Sequence, residues 1–166
     1  MKKFELTAEF VTNVFGKKLF RIKALIAFGN VEKGELGGFI EKEDNLSHDG
    51  NAWVSGNAWV SGDAWVSGNA LVSGNASVSG DALVSGDADY AVVTGFGHCF
   101  RATTFFRCKD KMLRVQCGCF YGDLAQFREI VKKTHGDSKY AKEYLAIADL
   151  MELHFSDEEK NQEADK

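Results

Sequence analysis

Hydrophobic and polar positions follow three successive rhythms along the chain. From Glu9 to Phe15 and again from Lys18 to Ala27 the residues alternate, with Phe20, Ile22 and Ala24 set against Arg21 and Lys23. Period two predicts strands, and Gly16-Lys17 between the two runs predicts a hairpin closed by the turn Phe28-Gly29-Asn30. From Asn51 to Gly86 the period is six: Asn/Asp-Ala-x-Val-Ser-Gly occurs six times without interruption. Phe105 to Arg107 and Met112 to Phe120 then read as strands around the polar turn Cys108-Lys109-Asp110-Lys111. The last rhythm is helical. Asp123 with Gln126 three residues on predicts the capped start of a helix over Leu124, Phe127, Ile130 and Val131 that stops near Gly136. Asp137 or Ser138 opens a second, with Tyr140, Tyr144, Ile147, Ala148, Met151 and Phe155 on its apolar face.

Each place in the hexapeptide has a physical role. The β-branched Val suits a buried extended position, and Ala two residues earlier is small and points to the same side. Ser-Gly-Asn/Asp supplies a bend, because Gly reaches backbone angles closed to other residues and Asn or Asp bonds its own backbone. The chain should therefore turn a corner every six residues and stack coils at a strand spacing of roughly 4.8 Å. The expected organisation is an N-terminal β-hairpin cap over 1–35, a hexapeptide β-solenoid over 36–97, a C-terminal hairpin and two-helix cap over 98–155, and a frayed charged tail over 156–166.

Read from Val54, the run Val-Ser-Gly-Asn-Ala-Trp resembles the hexapeptide of left-handed parallel β-helices, and its asparagine-rich form is similar to the YdcK-type β-solenoid repeat. The resemblance implies three hexapeptides per triangular coil. Residues 18 apart would then stack: Val54 on Val72, Val60 on Val78, Val66 on Val84, with Asn51, Asn69 and Asp87 as a corner ladder. The flanks Leu36-Gly37-Gly38-Phe39-Ile40 and Cys117-Gly118-Cys119-Phe120, with Thr134-His135-Gly136-Asp137, extend the likeness to solenoid proteins of the phage and prophage kind. The implied fold class is mainly β, a short single-stranded left-handed parallel β-helix between the two caps. The implied provenance is a phage protein that acts on its host.

Composition narrows the setting. The 166 residues contain no apolar run near the roughly 20 that a membrane span needs. Met1-Lys2-Lys3-Phe4-Glu5-Leu6 lacks the apolar core of a secretion signal, and four cysteines without secretory targeting point to reduced thiols in the cytoplasm. The net charge of −4 is unevenly spread: residues 51–90 hold Asp63, Asp81, Asp87 and Asp89 with no Lys or Arg, while both flanks balance. Such a shaft would repel phosphates, which argues against direct nucleic-acid binding on the solenoid. It could face a basic patch on a protein partner, or the acidic corners could serve solubility alone.

Candidate chemistry is sparse. Hexapeptide acyltransferases resemble the repeat and use a histidine base, but His48 and His98 only flank the repeats, His135 and His154 sit in the helical part, and no lid loop interrupts the hexapeptides. Cys99, Cys108, Cys117 and Cys119 with His98 are the candidate zinc donors, yet Cys117-Gly118-Cys119 has the wrong spacer for a knuckle, so no metal or cofactor is expected. A basic strip, Arg101, Arg107, Lys109, Lys111 and Arg114, interleaves with Phe105 and Phe106; it reads as a nucleotide or single-strand surface, or as the solvated face of a hairpin.

The tryptophans stand out. Trp53, Trp59 and Trp65 occupy the variable slot, where each should point outward, and Leu71, Ser77 and Leu83 follow in the same slots 18 residues later. Either a cap covers them or they form an interface, because exposed Trp is enriched at binding hot spots. The expected function is a non-catalytic binding protein acting through protein–protein contacts, with Trp53, Trp59, Trp65, Asp63 and Asp81 as the partner surface. On the phage-like resemblance the partner would be a host protein, for example a component of a CRISPR-Cas or other defence nuclease system. The alternatives are an acyltransferase-like enzyme and a self-assembling structural protein that forms homo-oligomers.

Overall fold

The computed structural model describes residues 2–97 and 101–156. Two long strands, β1 (Phe4–Thr12) and β2 (Lys18–Ala24), form the N-terminal hairpin and are followed by β3 (Leu36–Ile40). Each hexapeptide then contributes a two-residue strand: β4 (Trp53–Val54), β5 (Trp59–Val60), β6 (Trp65–Val66), β7 (Leu71–Val72), β8 (Ser77–Val78) and β9 (Leu83–Val84). Next come β10 (Tyr90–Val93), β11 (Thr103–Arg107), β12 (Leu113–Cys117) and β13 (Phe120–Asp123), then α1 (Leu124–His135) and α2 (Lys139–His154). The helix signals hold at the atomic level. The Asp123 carboxylate accepts from the Gln126 N–H (2.8 Å) while Gln126 Oε1 accepts from the Asp123 N–H (2.9 Å), and Ser138 Oγ accepts from the Ala141 N–H.

The strands fall into four sheets among the described residues: β1-β2-β3-β5-β8, β10-β11-β12-β13, β4-β7 and β6-β9. This corrects the expected fold class. The first sheet mixes antiparallel and parallel pairs, the second is antiparallel, and two helices follow; among the described residues no closed or solenoid sheet forms, and they make a mixed assembly of small sheets and helices and not a single-stranded left-handed parallel β-helix. The physical reason is length. A hexapeptide with a corner in it leaves only two residues to pair, whereas β1 and β2 bring nine and seven, so the long ladders are those of the hairpins. The repeats themselves pair in parallel at an offset of 18, Trp53 with Leu71, Trp59 with Ser77 and Trp65 with Leu83.

That offset stacks like on like. Ala52, Ala58, Ala64, Ala70, Ala76 and Ala82 are buried together with the Val of every repeat, and Phe4, Ile22, Ile40 and Leu46 extend the same core downward. A second core lies between the β10–β13 sheet and the two helices, built from Phe105, Val115, Phe127, Val131, Ala148 and Met151 with their neighbours. Strand β11 joins the two: side chains alternate across a strand, so Phe105 enters the helical core and Phe106 the repeat core, both fully buried.

Both ends of the repeats present backbone groups with no further repeat to pair with, a liability that must be covered. At the lower end Phe39 N–H and Glu41 N–H donate to the carbonyls of Ala58 (2.9 Å) and Val60 (3.0 Å). Asn45 Nδ2 donates to Gly62 O and Ala64 O, Ser47 N–H to Val66 O, and the ammonium of the buried Lys3 to Ala52 O at 2.6 Å. At the upper end Asp87 Oδ1 accepts from Leu71 N–H, Thr104 Oγ1 from Ser77 N–H and Asp89 Oδ2 from Ser85 N–H, each at 2.9 Å. Tyr90 Oη donates to Leu71 O (2.6 Å) and accepts from Ser73 N–H.

Candidate functional site

The three tryptophans share one slot and meet three environments. Trp53 is 2% exposed: Phe28 meets its ring edge-on at 5.3 Å, and Gly37 lies against it with no room for a Cβ. Of the two alternatives for the outward tryptophans, Trp53 takes the covered one, since the segment after the hairpin packs over it. Trp59 is half-buried, in a row between Phe39 below and Ser77 above. Trp65 is 43% exposed and pairs only with Leu83.

Trp59 lies in an open groove of about 880 Å³. One wall is the β1–β2 tip, where Asn13 Oδ1 accepts from the N–H groups of Phe15 and Lys17 (3.0 Å each) and Gly16 takes a positive φ of 79°. This tight turn holds Val14 and Phe15 out, 68% and 63% exposed, with Lys17 beside them. The opposite wall comes from the C-terminal part: Gln116 of β12, Gly118 in the turn after it, Tyr121 of β13, and Arg101 from the segment that leads into β11. Ser79 Oγ donates to Gln116 Oε1 (2.8 Å) and Gln116 Nε2 to Gly118 O (2.7 Å), which ties that wall to the repeats. Tyr121 Oη lies directly over Gly80, and burial together with the neighbouring Cys108 pushes its phenol up to about 12. The groove exists because of one letter. Where Leu71 and Leu83 fill their slots, the slot above Trp59 holds Ser77.

The acidic candidates share a corner with one of the basic ones. Asp63 and Asp81 are exposed at one corner of the repeats, bridged by Lys109, whose Nζ donates to Asp63 O and whose N–H donates to Asp81 O (2.9 Å each). Lys42 pairs with the Asp63 carboxylate at 2.8 Å and holds it below the usual carboxylate range. The residues of the basic strip have separate partners. Arg107 lies over the Phe155 ring and near Asp89 (3.5 Å), Arg114 pairs with Asp110 (2.7 Å), Lys111 occupies a left-handed turn position (φ 68°), and Arg101 faces the groove.

Histidines and thiols take other places. His48 stacks on Phe4 at 4.2 Å; its Nδ1 accepts the Lys3 N–H, which puts its proton on Nε2 facing Glu43 Oε1 at 2.9 Å. His135 lies against Tyr144 and Tyr140 beside α2. Cys108 is buried, which pushes its thiol up, Cys117 accepts from Thr103 Oγ1, and Cys119 is exposed. Among the described residues no group of three or more His, Cys, Asp or Glu is placed to hold a metal ion; His98 and Cys99 lie outside the described residues.

The sequence reading missed the groove and the β10 strand that caps the repeats through Tyr90. The signals were present: Ser in a slot otherwise given to Trp and Leu, and Gly37, which makes space for the Trp53 indole. Among the described residues no helix is long and apolar enough to cross a membrane. No protein-family model matches the chain, and no curated protein matches it.

Proposed function

We propose that the protein is a non-catalytic binding protein that acts through contact with a protein partner, and that the partner meets the face carrying Trp65. The observation that carries this reading is the exposure of Trp65 and Leu71, 43% and 45%, on either side of the corner at 67–69, with Asp63 and Asp81 also exposed on the repeats. Large apolar side chains held out by a rigid backbone, with charge at the rim, have the composition of an interface hot spot. Lys42 already pairs with Asp63, so the Asp81 carboxylate, which makes no ion pair among the described residues, is the charge that a basic patch on a partner would meet. On the phage-like resemblance that partner is a host protein, a nucleic-acid-handling defence component fitting the charge, and the place of action is the cytoplasm.

The test is a photo-crosslinking residue at position 71 in cells that contain the partner, with position 150 on the distant α2 as control. A discrete adduct from 71, absent from 150 and lost when Trp65→Ala is combined with Asp63→Lys and Asp81→Lys, supports the reading. Equal or absent adducts at both positions refute it.

A further inference from the structure

The groove over Trp59 is a second site, separate from the face of Trp65. We propose that it binds a nucleotide: a flat aromatic base that stacks on Trp59 and carries an anionic phosphate. Its volume of about 880 Å³ lies inside the roughly 300–1,000 Å³ range of ligand sites. Ser77 leaves the space above the indole open, and Phe15 and Tyr121 stand on opposite walls, so a planar ring placed there meets aromatic surface on more than one side.

Charge separates a nucleotide from other flat or polar ligands. Residues 51–90 contain no Lys or Arg, yet the groove floored by them receives Lys17 from the hairpin tip and Arg101 from the segment that leads into β11, against the carboxylate of Glu41. The Arg101 guanidinium lies against Gly118, where a Cβ would collide with it, so the glycine is what lets the cation reach this rim. Two cations brought from distant parts of the chain to the walls of an aromatic cleft suit a phosphate beside a stacked base. The side chains of Asn57, Asn75 and Ser77 line the groove and make no hydrogen bond among the described residues. Amides carry donors and an acceptor together, as the edge of a base does. A neutral sugar would use the indole without needing the cations.

Calorimetry and tryptophan emission on the full chain test this, with the four ribonucleoside 5′-monophosphates, their parent nucleosides and a neutral trisaccharide as probes. At least one monophosphate binds and quenches emission, and its nucleoside binds about tenfold more weakly, one charge contact's worth. Ser77→Leu fills the groove and abolishes binding while the melting temperature stays put, because Leu71 and Leu83 already occupy equivalent slots. Lys17→Ala, at an exposed turn, weakens binding about tenfold and flattens its salt dependence. The proposal is overturned if no monophosphate binds at ~5 mM, if Ser77→Leu binds normally, if nucleoside and nucleotide bind alike, or if the trisaccharide binds more tightly than any nucleotide.

Discussion

Lys3→Met should change how stability depends on pH more than it changes stability at neutrality. Lys3 is 1% exposed, and its ammonium donates to Ala52 O at 2.6 Å, approaches Gly50 O at 3.5 Å and sits 4.6 Å from the Phe28 ring. Burial lowers its pKa from 10.5 to about 8, with Asp49 acting weakly the other way. A lysine depressed in the folded state binds fewer protons than in the unfolded chain across the interval between those values. Stability should therefore rise with pH there, by about 2.5 kcal/mol between pH 7 and pH 10 at a cost of ~1.36 kcal/mol per unit. In Lys3→Met that rise is absent. At pH 7 the variant escapes the penalty of a buried charge but leaves the Ala52 carbonyl without a donor, a loss of about 1–3 kcal/mol, so the two proteins should differ little. At pH 10 the wild type should be the more stable by roughly 1–3 kcal/mol. Urea titrations at both pH values, compared at constant m, measure the gap, and subtraction cancels the other lysines, tyrosines and thiols. A gap that stays the same from pH 7 to pH 10 would refute the burial argument for Lys3.

The corner glycines and the helix cap give two further tests. Gly74 and Gly80 share the left-handed conformation (φ 66° and 62°), but a Cβ at 74 meets open space while one at 80 meets Tyr121. Alanine at 74 should cost about 1 kcal/mol of backbone strain, and alanine at 80 more; thermal melts should show the excess vanish in a Tyr121→Ala background, and an equal cost at both sites would disprove the contact. Asp123→Ala removes the cap of α1 and should cost ~1 kcal/mol in denaturant melts, with Asp123→Asn retaining most of it.

The residues explain which features were legible beforehand. The capping of α1 by Asp123 and Gln126, its end at Gly136 and the start of α2 at Ser138 all depend on groups within a few residues of each other, so local rules suffice. The same holds for the hairpin, although the structure starts β1 at Phe4, earlier than alternation alone indicated, because pairing with β2 extends to Ala24. The inward stacking of Ala and Val follows from the period itself, since an offset of 18 superposes like residues whatever surrounds them.

Fold class and site were decided elsewhere. Trp53, Trp59 and Trp65 each stand between Ala and Val-Ser-Gly, and the one local difference, Asp63 in place of Asn before Trp65, does not set their burial. What separates them comes from 15 or more positions away: Phe28 and Gly37 close over Trp53, the hairpin tip and Tyr121 frame Trp59, and Trp65 keeps its exposure. The merging of β3 with β5, and of the repeat core with the helical core through Phe105 and Phe106, likewise depends on long-range pairing. By itself the sequence determined the inward half of each repeat and the ends of the helices, because backbone conformation and period act over a few residues. Only the tertiary structure decided that the chain is a set of small mixed sheets, and which outward tryptophan is core, groove or surface, because burial is a property of what the rest of the chain brings alongside.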